Sequence, residues 1–409
     1  MKKIILLFLL IIIFIFPQRI NTEEKMSPWW EVQSVDTMKY SRDLSREKLR
    51  DLSFNNVINS QIKKIAETGA THVAIGTPYD EEFLPILKRW VEKAREYKLK
   101  VWFRSNWSGW EGWFGYKKIT RTEHQEKTRQ FILDNKDLFE DGDIFTACSE
   151  CENGGPGDPR ITKDIFGFRK FLIDEHVITK KAFISINKKV INNYNSMNGD
   201  VAKLIMDKDT TKSLNGIVTI DHYVQTPEIL HKDIEDIAKN SGGKIVLGEF
   251  GAPIPDIHGN MSEQDQAKWL LNTLNKLSDT NVLIGINYWV GFGGSTKLWN
   301  DDETPRSSVK ILQAFYKSKK LSGIILDYSK KPIVNAKIST NSRITHSDKD
   351  GKFDIQLLTD DQIRISKIGY IDQIIKTRKD KKNIKIILAK SDENLINKLI
   401  NLLFNINTL

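Results

Sequence analysis

A (β/α)8 TIM barrel followed by a small all-β sandwich is the α/β fold class that this sequence predicts. Three observations carry that expectation. From about residue 31 to 318, short β-branched or aromatic runs alternate with helix-patterned stretches, the grammar of a parallel sheet with crossover helices. Eight such runs occur, over roughly the length of chain a barrel needs, about 250 residues or somewhat more. After residue 318 the helical pattern stops, and short strands alternate with turns over about 70 residues, as in a small sandwich.

The strand candidates in order are 32–40, 71–80, 100–106, 143–150, 181–187 ("KAFISIN"), 216–223, 244–251 and 281–289. Amphipathic segments lie between them, such as 81–98 and 261–279. In the second, Ser262 precedes Asp265 by three residues, the Asp form of a capping box, which places a helix start there. A doubly wound open sheet would want a glycine-rich phosphate loop after its first strand, and "VDTMKYSRD" has none. The expected layout is a leader over 1–22, the barrel over 23–318, the sandwich over 319–390, and an amphipathic helix over 391–409 with apolar residues at 395, 396, 399, 402, 403 and 406.

Lys2 and Lys3 precede an unbroken apolar run from Ile4 to Phe16. This fits a secretory signal and is short for a spanning helix, which needs about 20 apolar residues. No small-residue cleavage site follows, so an uncleaved anchor stays open beside a cleaved signal; either makes the body secreted or cell-surface, with membrane contact through this segment in the anchored case. Composition is globular, at 40% hydrophobic and 28% charged residues. The net charge of +9 comes from lysine spread along the chain, without the basic cluster and interleaved aromatics of a nucleic-acid binder. A monomer is expected.

The stretch "TACSECENGGPGDPR", 146–160, interleaves two glutamates with the chain's two cysteines. A zinc site needs about four ligands, and no second C-x-x-C or H-x-H is present, so no metal or cofactor is expected. Cys148 and Cys151 are read as small packing residues or as a local bridge.

In a barrel, chemistry sits at the C-terminal ends of the strands. Those ends hold Asp36, Arg104, Asn106, Glu150, Glu152, Asn187, Asp221, His222, Tyr223, Glu249 and Trp289. Two glutamates on two strand ends are the simplest apparatus for cutting a glycosidic bond: one protonates the leaving oxygen while the other attacks the anomeric carbon or activates water. Glu150 ends the fourth run and Glu249 the seventh. Glu152 shares the face of Glu150 if the strand continues through both, where like-charge repulsion would raise the acid's pKa.

"IVLGEFGAP", 245–253, resembles the nucleophile strand of the retaining glycoside hydrolases of clan A, the cellulase-like barrels, and Ser149-Glu150-Cys151-Glu152 stands where their Asn-Glu-Pro motif would. The resemblance implies Glu150 as acid/base and Glu249 as nucleophile. It makes Trp289 a sugar platform, Tyr223 a hydrogen-bond donor to the nucleophile and Arg104 a supporting arginine. His222 and Tyr223 are adjacent, so only one can face inward. Asn106, Glu152 and Asn153 are further substrate-contact candidates. Trp107, Trp110 and Trp113 recur in a loop after the third strand. Tryptophan faces suit the C–H faces of sugars, although the spacing also fits a short helix packed on the barrel. Trp299, after the eighth strand, is a further cleft candidate.

The C-terminal part resembles the carboxypeptidase regulatory-like sandwich in "LSGIILDYSKKPIVNAKIS" and "THSDKDGKFDI", which implies a spacer or surface-binding role. Asp348-x-Asp350-Gly351 echoes a calcium loop but reads as a hairpin turn. The sequence therefore predicts an exported retaining glycoside hydrolase acting on a carbohydrate. The alternatives are a catalytically inactive carbohydrate-binding or scaffold barrel and a metal-dependent hydrolase using Asp36, Glu150, Glu152 and Asp221.

Overall fold

The computed structural model describes residues 29–340, 343–358, 361–376 and 383–391. The leader over 1–22 and residues 392–409 of the expected C-terminal helix lie outside them. Eight parallel strands form the first body: β1 Val32–Asp36, β2 His72–Ile75, β3 Lys100–Arg104, β4 Ile144–Thr146, β5 Ser196–Asn198, β6 Ile217–Asp221, β7 Lys244–Phe250 and β8 Leu283–Tyr288. Their order is β4-β3-β2-β1-β8-β7-β6-β5, so sequence neighbours pair and β8 returns to β1. The seam between β4 and β5 is closed by loop rather than ladder. Ile144 bridges Ile191, and Phe145 N donates to Ile191 O at 2.8 Å. The result is a nearly closed barrel wrapped by helices, the expected fold class.

Side-chain alternation divides the barrel wall. Val101 and Phe103 pack outward among the helices, in the large apolar layer with Trp90, Phe139 and Phe145. Trp102 points in, and with Val32, Ala74, Ile144, Tyr194 and Val246 it fills the barrel floor. Arg104, two residues on, also faces in and is fully buried. The functional end therefore sits on a packed plug.

The run 181–187 is a correction. It is not a strand but the end of the helix Ile165–Ser185. Its buried positions, Phe168, Phe171, Leu172, Glu175, His176, Thr179, Ala182 and Phe183, recur at spacings of three and four, so the helical period of the longer window overrides a local alternation. The fifth strand is the short polar Ser196–Asn198, and Asn187 lies on no strand end. The capping box at Ser262 forms and starts the helix Glu263–Leu277.

The second body comprises β9 Lys319–Asp327, β10 Lys337–Ser339, β11 Ile344–His346, β12 Lys352–Leu357, β13 Gln362–Ser366, β14 Gln373–Lys376 and β15 Asn383–Leu388. They form two sheets, β11-β10-β13-β14 and β12-β9-β15, around Leu321, Ile325, Phe353, Ile363, Ile365 and Leu388. The Asp348 carboxylate accepts from the backbone of Asp350 and Lys352 at 2.9 and 2.8 Å, and Gly351 has φ +74°. This is a tight turn, but not the expected hairpin: it joins β11 to β12, which belong to different sheets.

Candidate active site

Arg104 is the hub of the barrel mouth. Its Nη1 donates to Glu249 Oε1 at 2.5 Å and lies 3.6 Å from Asp36 Oδ2. Its Nη2 donates to Asp221 Oδ2 and to Ser196 Oγ at 3.3 Å. Side chains from β1, β3, β5, β6 and β7 thus meet at one guanidinium, which supplies the positive charge among these acids. A single cation cannot neutralise three buried anions. Burial pushes Asp36 up to about 6 despite Arg104, and pushes Asp221 well above the usual carboxylate range. Asn287 on β8 donates to Asp36 Oδ2 at 3.1 Å.

Glu249 reaches this hub because β7 is bulged. Ile220 pairs with Leu247, and the next pair is Asp221 with Glu249, so one residue, Gly248, is extra. A bulge re-aims the side chain that follows it. Only glycine fits there, since a Cβ would lie 2.4 Å from Asp221 Oδ1. The second oxygen of Glu249 accepts from Tyr223 Oη at 2.6 Å. Both carboxylate oxygens are held, and the group is oriented from two sides. Tyr223 in turn packs edge-on against Trp289, with ring centroids 5.9 Å apart. Trp289 is half-buried, and its indole N–H has no partner among the described residues.

Glu150 stands across the mouth, but not on a strand. β4 ends at Thr146, and Glu150 occupies a turn with φ +45°, its N–H donating to Ser196 O at 2.9 Å. Burial pushes its carboxyl up to about 8; the Glu249 charge adds to the push and Arg104 opposes it. Glu150 is thus a proton-holding acid beside a clamped carboxylate. Glu152 does not share a strand face with it. Residues 151–153 form a single helical turn, and Glu152 is buried, accepting from Asn198 N at 2.6 Å and Asn198 Nδ2 at 3.0 Å. Burial pushes Glu152 up to about 7, and its charge is a lesser contributor to the raised Glu150.

Several sequence-predicted contacts lie elsewhere. Trp107 is a core residue: it is buried, edge-on to Tyr79 and Phe131, with its N–H on Thr128 Oγ1. Trp110 stacks on Phe171 and Trp299 on Phe292, both inside the protein, so the helix-packing alternative describes this loop better. Trp113 is half-buried under Arg42. Asn106 is fully buried; it accepts from Trp107 N and pairs with His124 Nε2, a scaffold role rather than a cleft contact. His222 turns to Asp233 on the helix Pro227–Ser241, at 2.8 Å, leaving Tyr223 as the inward member of the pair. Asn153 is exposed at the end of the helical turn 151–153. Cys148 and Cys151 form a disulfide, the local-bridge option.

The sequence reading missed Glu111. It is half-buried, accepts from Asn106 Nδ2 at 2.5 Å, and is pushed up to about 7 by burial. Its charge also raises Glu150. The only signal was an acid among aromatic and glycine residues in "GWEGWFG".

No protein-family model matches the chain, and no curated protein matches it. Solved structures do. GH5_18 from Bifidobacterium longum subsp. longum, in complex with Manb1-4GlcNAc, aligns with 12% identity and a TM-score of 0.51 over 74% of this chain and 84% of its own. A structure of fungal beta-1,4-galactanases aligns with 15% identity and a TM-score of 0.50 over 69% of this chain and 99% of its own. An FMN-binding beta-glucuronidase from Facaelibacterium prausnitzii L2-6 aligns with 12% identity and a TM-score of 0.46 over 81% of this chain and 53% of its own, so the chain spans about half the length of that protein. The likeness is one of architecture: the chain shares with these two proteins the fold of an eight-stranded parallel barrel wrapped by helices.

Proposed function

We propose that this protein is an exported glycoside hydrolase that cleaves O-glycosidic bonds of a poly- or oligosaccharide by retaining double displacement. The observation that carries the reading is the pairing of Glu249, gripped by Arg104 and Tyr223, with Glu150, an acid that keeps its proton up to about pH 8. In the first step a Glu249 oxygen attacks the anomeric carbon as Glu150 gives its proton to the leaving oxygen. In the second, Glu150, now a carboxylate, takes a proton from water, which attacks the same carbon and releases Glu249. The developing charges suit the two groups. Arg104 and Tyr223 stabilise the departing Glu249 carboxylate, and the Glu249 charge that raises the pKa of Glu150 is spent once the glycosyl bond forms, so the Glu150 pKa falls and the group stands as a carboxylate ready to take the proton of the attacking water.

Trp289 supports a stacked sugar beside Tyr223. Export is supported by the Lys2-Lys3 and Ile4–Phe16 pattern, and the C-terminal sandwich suits attachment or spacing at a surface. The test is hydrolysis of plant, fungal and bacterial polysaccharides by the wild type, Glu150→Gln and Glu249→Gln, with the first product's anomer read by proton NMR. Turnover with retained configuration, lost in both variants, supports the reading. Binding without turnover in all three proteins replaces it with an inactive carbohydrate-binding barrel.

A further inference from the structure

We infer that the Cys148–Cys151 disulfide is a positioning element for Glu150, holding the proton donor over the cleft in place of the strand that ends too early to do so. The inference rests on the proposed hydrolase reading and deepens it.

A side chain four residues beyond the end of β4 has no ladder to fix it. The backbone of Glu150 is left-handed, φ +45°, a conformation that non-glycine residues adopt only when their surroundings impose it. The disulfide closes the loop Cys148-Ser149-Glu150-Cys151 with Glu150 inside it, the two Cα atoms 5.4 Å apart. Both cysteines are buried, and each is tied to the rigid body. Cys148 Sγ accepts from Asn106 Nδ2 at 3.1 Å, and Asn106 is locked by His124, whose other ring nitrogen meets Glu175 at 2.5 Å. Cys151 O accepts from Trp110 Nε1 at 3.1 Å. Trp110 is fixed by its stack on Phe171 and by Gly155, where a Cβ would strike its ring at 2.3 Å. Two anchored ends and a covalent tie fix the backbone from which the Glu150 carboxyl projects. Without the tie, the hydrogen bonds to Ser196 O and from Asn153 N, at 2.9 and 2.8 Å, are what remain on its backbone among the described residues.

The buried Asn106, His124 and Glu175, which make no contact with the mouth acids other than Glu111, thereby gain a role: they support the sulfur that supports the acid. Tryptophans 107 and 110 are spent on the same scaffold.

The experiment compares the wild type, Cys148→Ala/Cys151→Ala and Glu150→Ala on two aryl glycosides of the sugar the wild type accepts. A 2,4-dinitrophenyl leaving group departs without a proton; a 4-methoxyphenyl group needs one. A misplaced acid lowers kcat/KM about 100-fold on the methoxyphenyl glycoside, the low end of what general acid catalysis supplies. It leaves kcat/KM on the dinitrophenyl glycoside within about twofold, which also certifies that the variant is folded with an intact nucleophile. Wild type reduced with a phosphine reductant, its two new thiols counted, repeats the result if the tie is the cause. Equal losses on both glycosides mean a purely structural bridge and overturn the inference, as does unchanged activity on both. A wild type that hydrolyses neither glycoside removes the hydrolase reading itself, which is a different failure.

Discussion

Arg104 on β3 donates to Glu249 on β7 at 2.5 Å across the width of the barrel, and the same guanidinium holds Asp221. The pair is fully enclosed on the Arg104 side, so losing either partner strands a buried charge. Arg104→Met should destabilise the barrel by about 3–5 kcal/mol, the usual cost of breaking a buried pair. Arg104→Lys keeps the charge but not the fork that reaches both acids. It should remain folded and lose kcat more than it raises KM. Thermal melts and steady-state kinetics on both variants check this.

The pH profile follows from Glu150. Its proton is required for the first step, and its carboxyl is pushed up to about 8 by burial and by Glu249. Activity should therefore hold below that value and fall as pH rises through about 8. In Glu249→Gln the neighbouring charge is gone, so the Glu150 titration should move down. Carbon-13 NMR of glutamate-labelled protein reads both values; an upward or absent shift contradicts the coupling.

Stability should depend on pH in the opposite sense to that of a salt-bridged acid. Glu150, Glu111, Glu152 and Asp36 are raised in the folded state to about 8, 7, 7 and 6, against about 4 in the unfolded chain. Between those limits the folded state binds more protons than the unfolded one, so stability falls as pH rises. Melting temperature should be higher at pH 5 than at pH 8.5, and Glu111→Gln should flatten the slope.

Two tryptophans separate core from cleft. Trp107→Ala should cost about 3–5 kcal/mol of stability, as large buried aromatics do. Trp289→Ala should leave the melt nearly unchanged and raise KM roughly tenfold, about 1.4 kcal/mol of stacking. Denaturant unfolding and KM measured on both variants distinguish the roles.

The long, strongly apolar strands were legible because β-branched runs and glycine-bounded turns punctuate them, and the end of β7 could be read directly from "VLGEFG". β5 could not: it is three residues long and reads Ser-Met-Asn, while the alternation in 181–187 belongs to a helix whose period shows only over the longer window. The two-residue spacing of Glu150 and Glu152 implied a common strand face, but β4 stops at Thr146 and a disulfide-closed turn takes over. Tryptophan spacing was ambiguous between stacking platforms and core, and burial of Trp107 and Trp110 decided for core. The Gly248 bulge that turns Glu249 inward depends on pairing between strands, which no local pattern encodes.

The measurement closest to the central claim is azide rescue of Glu150→Ala and Glu249→Ala on a dinitrophenyl glycoside accepted by the wild type, with the glycosyl azide identified by NMR. Azide should accelerate Glu150→Ala and give a product of retained configuration, while Glu249→Ala should give the inverted azide. Inverted azide from Glu150→Ala, or a wild-type kcat in that variant without azide, would contradict the assignment and move the proton donor elsewhere, Glu152 first.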